Sequence, residues 1–235
     1  MNIYRIKRQV LSSDVDPALN LKISTLFTWM QEAAIAHTIE MGVTRQKSFD
    51  LGLLWVVIQY RIRFEKLPAY DDIVTLTSWP GKDMHLFFPR YFKLEAQSGE
   101  TLAAASSIWG LMSREERRIV FPEEHGIHIP QTVTGDEIEL PARIRSSKPE
   151  KTLAFTVPYS YLDLNGHMNN ARYFDLASDH MSEELRHRPV KELQADFVGE
   201  ARFGDEITLG LNCGADSFVL SGEREKNIFR LSYLF

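Results

Sequence analysis

Hydrophobic and polar residues recur along the first half of the chain with two different periods. Apolar residues at helical spacing predict a long helix over residues 23–41. Runs rich in β-branched and aromatic residues lie around it and predict strands at residues 2–10, 54–64, 73–79, 86–94 and 101–112. The first half is therefore expected to contain one strand, one long helix and a series of antiparallel strands joined by short turns.

The second half repeats this order. A helix is predicted over residues 170–186, with Phe174, Ala177, Met181 and Leu185 on one face. Strands are predicted at residues 153–157, 190–198, 206–211, 218–223 and 228–235. The sequences also match locally, because Phe64 precedes residues 72–76 at the spacing at which Phe197 precedes residues 205–209. Both observations indicate an internal duplication.

Two such units can pair their sheets edge to edge while each sheet encloses its own helix. Residues 117–150 are charged and contain several prolines, which predicts a linker on the surface. We therefore expect an α+β protein with an N-terminal domain over residues 1–116, the linker, and a C-terminal domain over residues 151–235.

Composition narrows the class of protein. The chain has 235 residues, 44% hydrophobic and 25% charged, which is typical of a soluble globular protein. The single cysteine, Cys213, excludes an internal disulfide framework and fits a reducing compartment. No signal peptide or membrane-spanning run is apparent, so a cytoplasmic protein is expected. The net charge of −5 argues against a general nucleic-acid binder.

Polar and ionisable side chains are concentrated just before the second helix, in the stretch Asp163-Leu164-Asn165-Gly166-His167-Met168-Asn169-Asn170. Asn169 or Asn170 is suited to cap that helix. A polar turn of purely structural purpose is the alternative interpretation. Aligning the halves places Pro17, Leu19 and Leu21 opposite the three polar positions 163, 165 and 167, and Leu67 opposite Glu200. This asymmetry favours a functional cluster.

Residues 162–173 resemble the signature of acyl-(acyl carrier protein) thioesterases, and the resemblance spans nearly the whole chain. The stretches 29–33, 106–112 and 117–124 agree with it. The resemblance implies a tandem hotdog fold, in which each half is a long helix wrapped by an antiparallel sheet. It also implies a bacterial member without a transit segment. The catalytic residues that it implies are Asp163, Asn165, His167 and Glu200, the last on a later strand.

Thioester hydrolysis needs a deprotonated water and a stabilised oxyanion. Glu200 or Asp163 is the expected general base, and Asn165 and His167 are expected to orient the water or the thioester. Backbone amides near Gly166 and His167 are the expected oxyanion site. The sequence has no Ser-centred elbow, and Cys213 is expected to be a buried, inert thiol in a strand, so a covalent acyl-enzyme is disfavoured.

The leading hypothesis is release of fatty acids from acyl carrier protein. An acyl-coenzyme A thioesterase and a non-catalytic acyl-binding hotdog module are the alternatives. No metal, cofactor, nucleic acid or membrane is implied, and a homodimer stays an open option. An acidic carrier protein needs a basic docking surface. The candidates are Arg114, Arg117, Arg118, Arg143, Arg145, Lys148 and Lys151, and a solvated linker is the alternative explanation for them.

The acyl tail is expected to extend into the half without catalytic residues. The candidate lining residues lie on the first long helix and are Leu26, Phe27, Trp29, Met30 and Ala33. Ordinary core packing is the alternative interpretation for each of them.

Overall fold

The structure is a computed structural model that describes residues 3–127 and 135–235. The first half contains the expected strand, helix and antiparallel strands, plus two short elements. Its elements are β1 (Tyr4–Gln9), α1 (Ile23–Glu40), α2 (Arg45–Asp50), β2 (Leu53–Phe64), β3 (Ile73–Pro80), β4 (Phe87–Ala96), β5 (Thr101–Ser113) and β6 (Ile119–Val120), followed by a 3-10 turn at Pro122–His125. Residue 2, where the first strand was predicted to begin, lies outside the described residues.

The second half repeats the pattern on a smaller scale. Its elements are β7 (Lys151–Thr156), a 3-10 turn (Tyr159–Tyr161), α3 (Asn170–His180), α4 (Glu183–Arg186), β8 (Glu192–Phe197), β9 (Glu206–Cys213), β10 (Ser217–Glu223) and β11 (Asn227–Leu234). The prediction of one helix over residues 170–186 is wrong at its end. Met181 is extended, with ψ of 148°, and Ser182 caps a separate helix by accepting the Leu185 N–H at 3.3 Å.

One sheet runs through both halves. Its strand order is β1-β3-β4-β5-β2-β8-β11-β10-β9-β7, with β6 added beside β5, and every pairing among these strands is antiparallel. The halves meet where β2 pairs with β8, from Gln59 opposite Asp196 to Arg63 opposite Glu192. The expected edge-to-edge pairing of the two sheets is therefore present.

The helices α1 and α3 share one core, which packs against this sheet. Phe27 of α1 contacts Phe174 of α3 with ring centroids 4.9 Å apart, and it also packs against Tyr60 of β2 and Phe197 of β8. All four rings are buried. Burial of this aromatic cluster stabilises both halves together, since its members come from each of them.

The segment after β5 lies against the sheet in its described parts. Ser106 donates a hydrogen bond to the Glu139 carbonyl at 2.6 Å, and the Ile144 N–H donates to the buried carboxylate of Asp196 at 2.9 Å. Residues 128–134 lie outside the described residues, and the division into domains stays a prediction. No helix in the described ranges has the length and apolar character needed to cross a bilayer.

Candidate active site

A tight turn from Leu162 to Met168 precedes α3. Asp163 organises it, because its Oδ1 atom accepts the N–H groups of Asn165 at 2.8 Å and His167 at 3.2 Å. The Asp163 N–H donates in turn to the His167 carbonyl at 2.7 Å. Gly166 has φ of +76°, a conformation that favours glycine. The turn thereby fixes the two residues, Asn165 and His167, whose side chains lie beside the cavities described below.

The same turn occurs in the first half. Asp16 Oδ1 accepts the N–H groups of Ala18 at 2.9 Å and Asn20 at 3.0 Å, and Leu19 has φ of +63° where the second half has Gly166. A bridge between Val15 and Leu21 closes the first turn as one between Leu162 and Met168 closes the second. The structure therefore pairs Asp163 with Asp16, Asn165 with Ala18 and His167 with Asn20.

This pairing corrects the sequence alignment by one residue. The expectation that Asp163 has an inert counterpart is wrong, since Asp16 builds the same turn with the same hydrogen bonds. The alignment of Glu200 with Leu67 agrees with the structure, because Met168 N–H donates to Ala201 as Leu21 N–H donates to Pro68. Asn165 and Glu200 thus have the apolar counterparts Ala18 and Leu67, whereas His167 lies opposite the polar Asn20, so the expected inert counterpart of His167 is wrong as well.

Glu200 comes to His167 from a loop. The resemblance implies a strand residue, but β8 ends at Phe197, and Glu200 lies in the loop that follows. Its Oε2 atom lies 3.1 Å from His167 Nε2, and the two side chains are 27% and 16% exposed. The same oxygen pairs with the guanidinium of Arg117, which follows β5 of the first half. Both halves therefore contribute charged groups to one site.

Arg117 was expected only as a docking residue. It has φ of +55°, an uncommon conformation for a residue with a side chain, in the turn between β5 and β6. Arg117 and Glu200 are 83 residues apart in the sequence, so sequence periodicity does not predict this pairing. The residue with this uncommon backbone conformation is thus the one whose guanidinium pairs with Glu200.

The start of α3 provides few free amide groups. Asn169 caps the helix by accepting the Ala171 N–H at 2.9 Å, which confirms one of the two expected caps. The Gly166 N–H donates to the Asp163 carbonyl at 3.0 Å, and the His167 N–H is held by the Asp163 carboxylate. The expected oxyanion site at these two amides is therefore wrong, because both already have acceptors within the turn.

Two connected cavities meet at this turn. The outer cavity, about 1050 Å³, is lined by Arg117, His167 and Glu200, among others. The inner cavity, about 360 Å³, extends into the first half between α1, α2, β2 and β4. The residues lining both are Gln31, Leu54, Trp55, Trp109, Asp163, Asn165 and Asn169. The two cavities therefore adjoin at Asn165.

The structure places the five expected tail residues of α1 in the core. Leu26, Phe27, Trp29, Met30 and Ala33 are all buried, and none of them lines either cavity. The cavity wall is a different stripe of the same helix, Thr28, Gln31, Glu32, Ala34, Ile35, Thr38 and Ile39. These residues recur at a spacing of three and four, but the polar side chains among them are typical of a solvent-exposed face, so the spacing alone does not identify a cavity wall.

Cys213 lies away from both cavities. The prediction of a buried thiol is wrong, because Cys213 is exposed at the last position of β9. It lines neither cavity, so it stands apart from the polar cluster as expected. In the described ranges, no three His, Cys, Asp or Glu side chains are grouped so as to hold a metal ion.

The predicted basic residues do not form a single patch. Arg117 and Arg143 line the outer cavity, where Lys226 joins them. Arg114 stacks on Phe49, and Arg118 pairs with Glu116. Lys151 begins β7 at the far edge of the sheet. Only part of the predicted surface therefore surrounds the cavity mouth.

Comparisons with known proteins agree with this geometry. The family model of the acyl-ACP thioesterase N-terminal domain matches residues 1–125, and that of the C-terminal domain matches residues 144–231. The crystal structure of an acyl-ACP thioesterase from Bacteroides thetaiotaomicron superimposes with a TM-score of 0.89 at 23% identity, over 100% of this chain and 98% of that one. The 12:0-ACP thioesterase from Umbellularia californica gives 0.83 at 20% identity, over 100% and 97%.

Curated relatives come from plants. A chloroplastic palmitoyl-acyl carrier protein thioesterase from Cuphea hookeriana is 24% identical over 73% of this chain and 45% of its own length. A chloroplastic dodecanoyl-[acyl-carrier-protein] hydrolase from Cinnamomum camphora is 27% identical over 74% and 49%. The chain thus spans about half the length of these relatives.

The shared sheet, the two enclosed helices and the site between the halves define a double-hotdog protein. The chain belongs to the acyl-ACP thioesterase family, since the two family models together match most of its length.

Proposed function

We propose that the protein is a thioesterase that releases fatty acids from acyl carrier protein. The observation that carries the proposal is the position of Asn165 and its neighbours between two cavities of unequal size. A thioester held beside Asn165 can leave its carrier arm in the outer cavity and extend its acyl chain into the inner one. The names of the family and of its plant relatives support this substrate.

Glu200 is the general base in this proposal. Its Oε2 atom is engaged by His167 and Arg117, which leaves Oε1 to accept a proton from water. The water oxygen attacks the thioester carbon, its proton passes to Glu200, and the tetrahedral intermediate expels the thiolate as the C–S bond breaks. The proton then moves to the departing sulfur, so the free acid and the free thiol are the products.

Asp163 serves the turn rather than the proton transfer. Its carboxylate accepts two backbone N–H groups and lies 3.3 Å from the Asn165 amide nitrogen, so its acceptor capacity is largely used. Asp16 likewise accepts two backbone N–H groups in the equivalent turn of the first half, which does not contain His167. We therefore choose Glu200 over Asp163 as the base.

Two donors remain for the oxyanion. The Asn165 amide nitrogen carries a second hydrogen beyond the one aimed at Asp163. The N–H of Asn170 lies in the first turn of α3, before the helix's own hydrogen bonds begin. Both residues line the outer cavity, where a developing negative charge at the thioester oxygen would meet the positive end of the helix dipole.

Docking of the carrier completes the proposal. Arg143 and Lys226 are exposed at the outer cavity and offer positive charge on an otherwise acidic protein. Acyl carrier protein is acidic, so these residues can steer its approach. A cytoplasmic location and a homodimer stay predictions.

The test compares thiol release from acyl carrier protein that carries a saturated acyl chain with thiol release from acyl-coenzyme A of the same chain length. We expect turnover with the carrier protein to exceed that with coenzyme A, and His167→Ala and Asn165→Ala each to lose about 10²-fold or more while remaining folded. A preference for coenzyme A would favour the alternative carrier. Binding of acyl chains without thiol release from either would support the non-catalytic module and overturn the proposal.

A further inference from the structure

A buried arginine lies in the wall of the inner cavity. Arg90 of β4 is 7% exposed, and its Nη1 atom donates to Ser78 Oγ at 3.1 Å and to His37 Nδ1 at 3.0 Å. Its Nη2 atom donates to Thr38 Oγ1 at 3.3 Å. These partners come from α1 and β3 and hold the guanidinium in a fixed orientation.

The charge of Arg90 has only neutral partners among the described residues. None of the ion pairs formed within those ranges involves it. Burial lowers the pKa of Arg90 to about 10, so the group is still a cation at neutral pH. A buried cation without a counter-charge is costly, which makes it an unusual component of a wall built only for hydrocarbon.

One donor of Arg90 is left for a ligand. The Nε–H has no acceptor in the described part of the chain. The Nε atom is nevertheless not one of the fully buried polar atoms that lack a hydrogen-bond partner. It is therefore reachable from the cavity that Arg90 lines. The surrounding wall is mostly apolar, with Ile35, Ile39 and Phe88 nearby in the lining. A saturated chain filling this space would displace water and leave the N–H unpaired.

The position of Arg90 along the cavity sets where a partner atom would lie. Gln31 lines both cavities beside the catalytic turn, while Thr38, which contacts Arg90, lies seven residues further along α1. At a rise of 1.5 Å per residue this separation is about 10 Å. The guanidinium thus meets the acyl chain well beyond the thioester.

We infer that the inner cavity accepts acyl chains that carry a neutral oxygen, a hydroxyl group, remote from the thioester, with Arg90 donating a hydrogen bond to that oxygen. A terminal carboxylate suits the cavity less well, because Glu32 and Asp83 also line it. The inference rests on the proposed function for the direction in which the chain enters. Binding of the free hydroxy acid, however, does not require hydrolysis.

The test measures binding of fatty acids of one length by quenching of the protein's tryptophan fluorescence, which Trp55 and Trp109 in the cavity wall can report. The series contains the unsubstituted acid, isomers with the hydroxyl at successive positions, and the terminal dicarboxylic acid. We expect one isomer, or two adjacent ones, to bind about tenfold more tightly than the unsubstituted acid, the effect of one well-formed hydrogen bond to a charged donor.

Arg90→Met should remove this preference without weakening binding of the unsubstituted acid. Arg90→Lys keeps the positive charge on a side chain of different length and should therefore move the preferred position of the hydroxyl group. This variant keeps the inference testable if the methionine variant does not fold. Thr28→Val, which alters another polar residue of the same wall, should leave the preference intact. Tightest binding by the dicarboxylic acid, or by the unsubstituted acid, would overturn the inference. Thiol release from unsubstituted acyl-carrier protein is measured separately, so failure of the proposed function would be distinguishable.

Discussion

At the scale of single residues, the two carboxylates of the site have different environments and therefore different expected effects. Glu200→Gln should reduce turnover by about 10²-fold or more and leave the melting temperature nearly unchanged, because it removes a base but keeps the size of the side chain. Asp163→Ala should reduce stability by about 1–3 kcal/mol as well as turnover, because two turn N–H groups lose their acceptor. Thermal unfolding and steady-state kinetics on the same samples separate the two.

The first half offers a matched control for this comparison. Asp16→Ala removes the same two hydrogen bonds from the equivalent turn and should cost similar stability. Its turnover should match wild type, since no catalytic side chain follows Asp16. If Glu200→Gln kept full activity while Asp163→Asn, with the turn intact, abolished it, the assignment of the base would have to be reversed.

We expect Arg117 to act as a positioning residue for Glu200. Arg117→Ala should lower kcat about tenfold or more with little change in KM, because the carboxylate loses a charged hydrogen-bond donor that fixes it. Arg117→Lys should restore part of kcat. Arg118→Ala is the control, since Arg118 is 68% exposed and pairs with Glu116 instead. Equal kinetic effects of the two alanine variants would contradict a specific role for Arg117.

These residues also mark how far the sequence predicts the site. The resemblance implies Asp163, Asn165, His167 and Glu200, and in the structure His167 Nε2 lies 3.1 Å from Glu200 Oε2, while the catalytic role of these residues stays a prediction. The resemblance includes Arg117 but does not predict its pairing with Glu200, because that contact depends on how the two halves meet. The misassigned counterpart of Asp163 has a simple cause. A shift of one residue is invisible when only the helix patterns are aligned, whereas the hydrogen bonds of the two turns fix the register.

At the scale of elements, strands and the first helix follow from their periodicity, since strong alternation and helical spacing survive any tertiary context. The break between α3 and α4 does not. Ser182-Glu183-Glu184 is an ordinary helix start embedded in an apolar pattern that continues across it. Which stripe of α1 faces the inner cavity could not be predicted either, because every face of that helix carries apolar residues.

We expect the cavity stripe of α1, Thr28, Gln31, Glu32, Ala34, Ile35, Thr38 and Ile39, to determine chain-length selection. Ile35→Trp should shorten the preferred acyl chain, because each methylene excluded from the cavity loses about 0.8 kcal/mol, roughly fourfold in discrimination. Ala33→Phe, on the buried face, should reduce stability by about 1–3 kcal/mol through overpacking and leave the length preference unchanged. Competitive hydrolysis of carrier substrates differing by two carbons measures the shift. A length shift with Ala33→Phe and none with Ile35→Trp would place the tail on the other side of the helix.

At the scale of the whole molecule, the two similar halves differ in their expected functions. Both retain the turn, the helix and the sheet, but the second half carries Asn165, His167 and Glu200, while most of the residues that line the inner cavity belong to the first half. The pairing of β2 with β8 places these parts side by side. Under the proposed function, this arrangement would keep chain selection separate from catalysis, so we expect that one can change by mutation with little effect on the other.

Docking of the carrier protein is expected to use the rim of the outer cavity rather than all the basic residues that the sequence offers. Arg143→Glu combined with Lys226→Glu should raise KM for acyl-carrier protein on the order of tenfold, and the effect should shrink as salt concentration rises, because reversed charge repels an acidic partner. Turnover of a small acyl thioester without a carrier protein should be unchanged, since neither residue touches the Glu200–His167 pair. Lys151→Glu, at the far edge of the sheet, is the matched control and should leave both substrates unaffected. A larger rise in KM from Lys151→Glu than from the double variant would move the docking surface to the β7 edge.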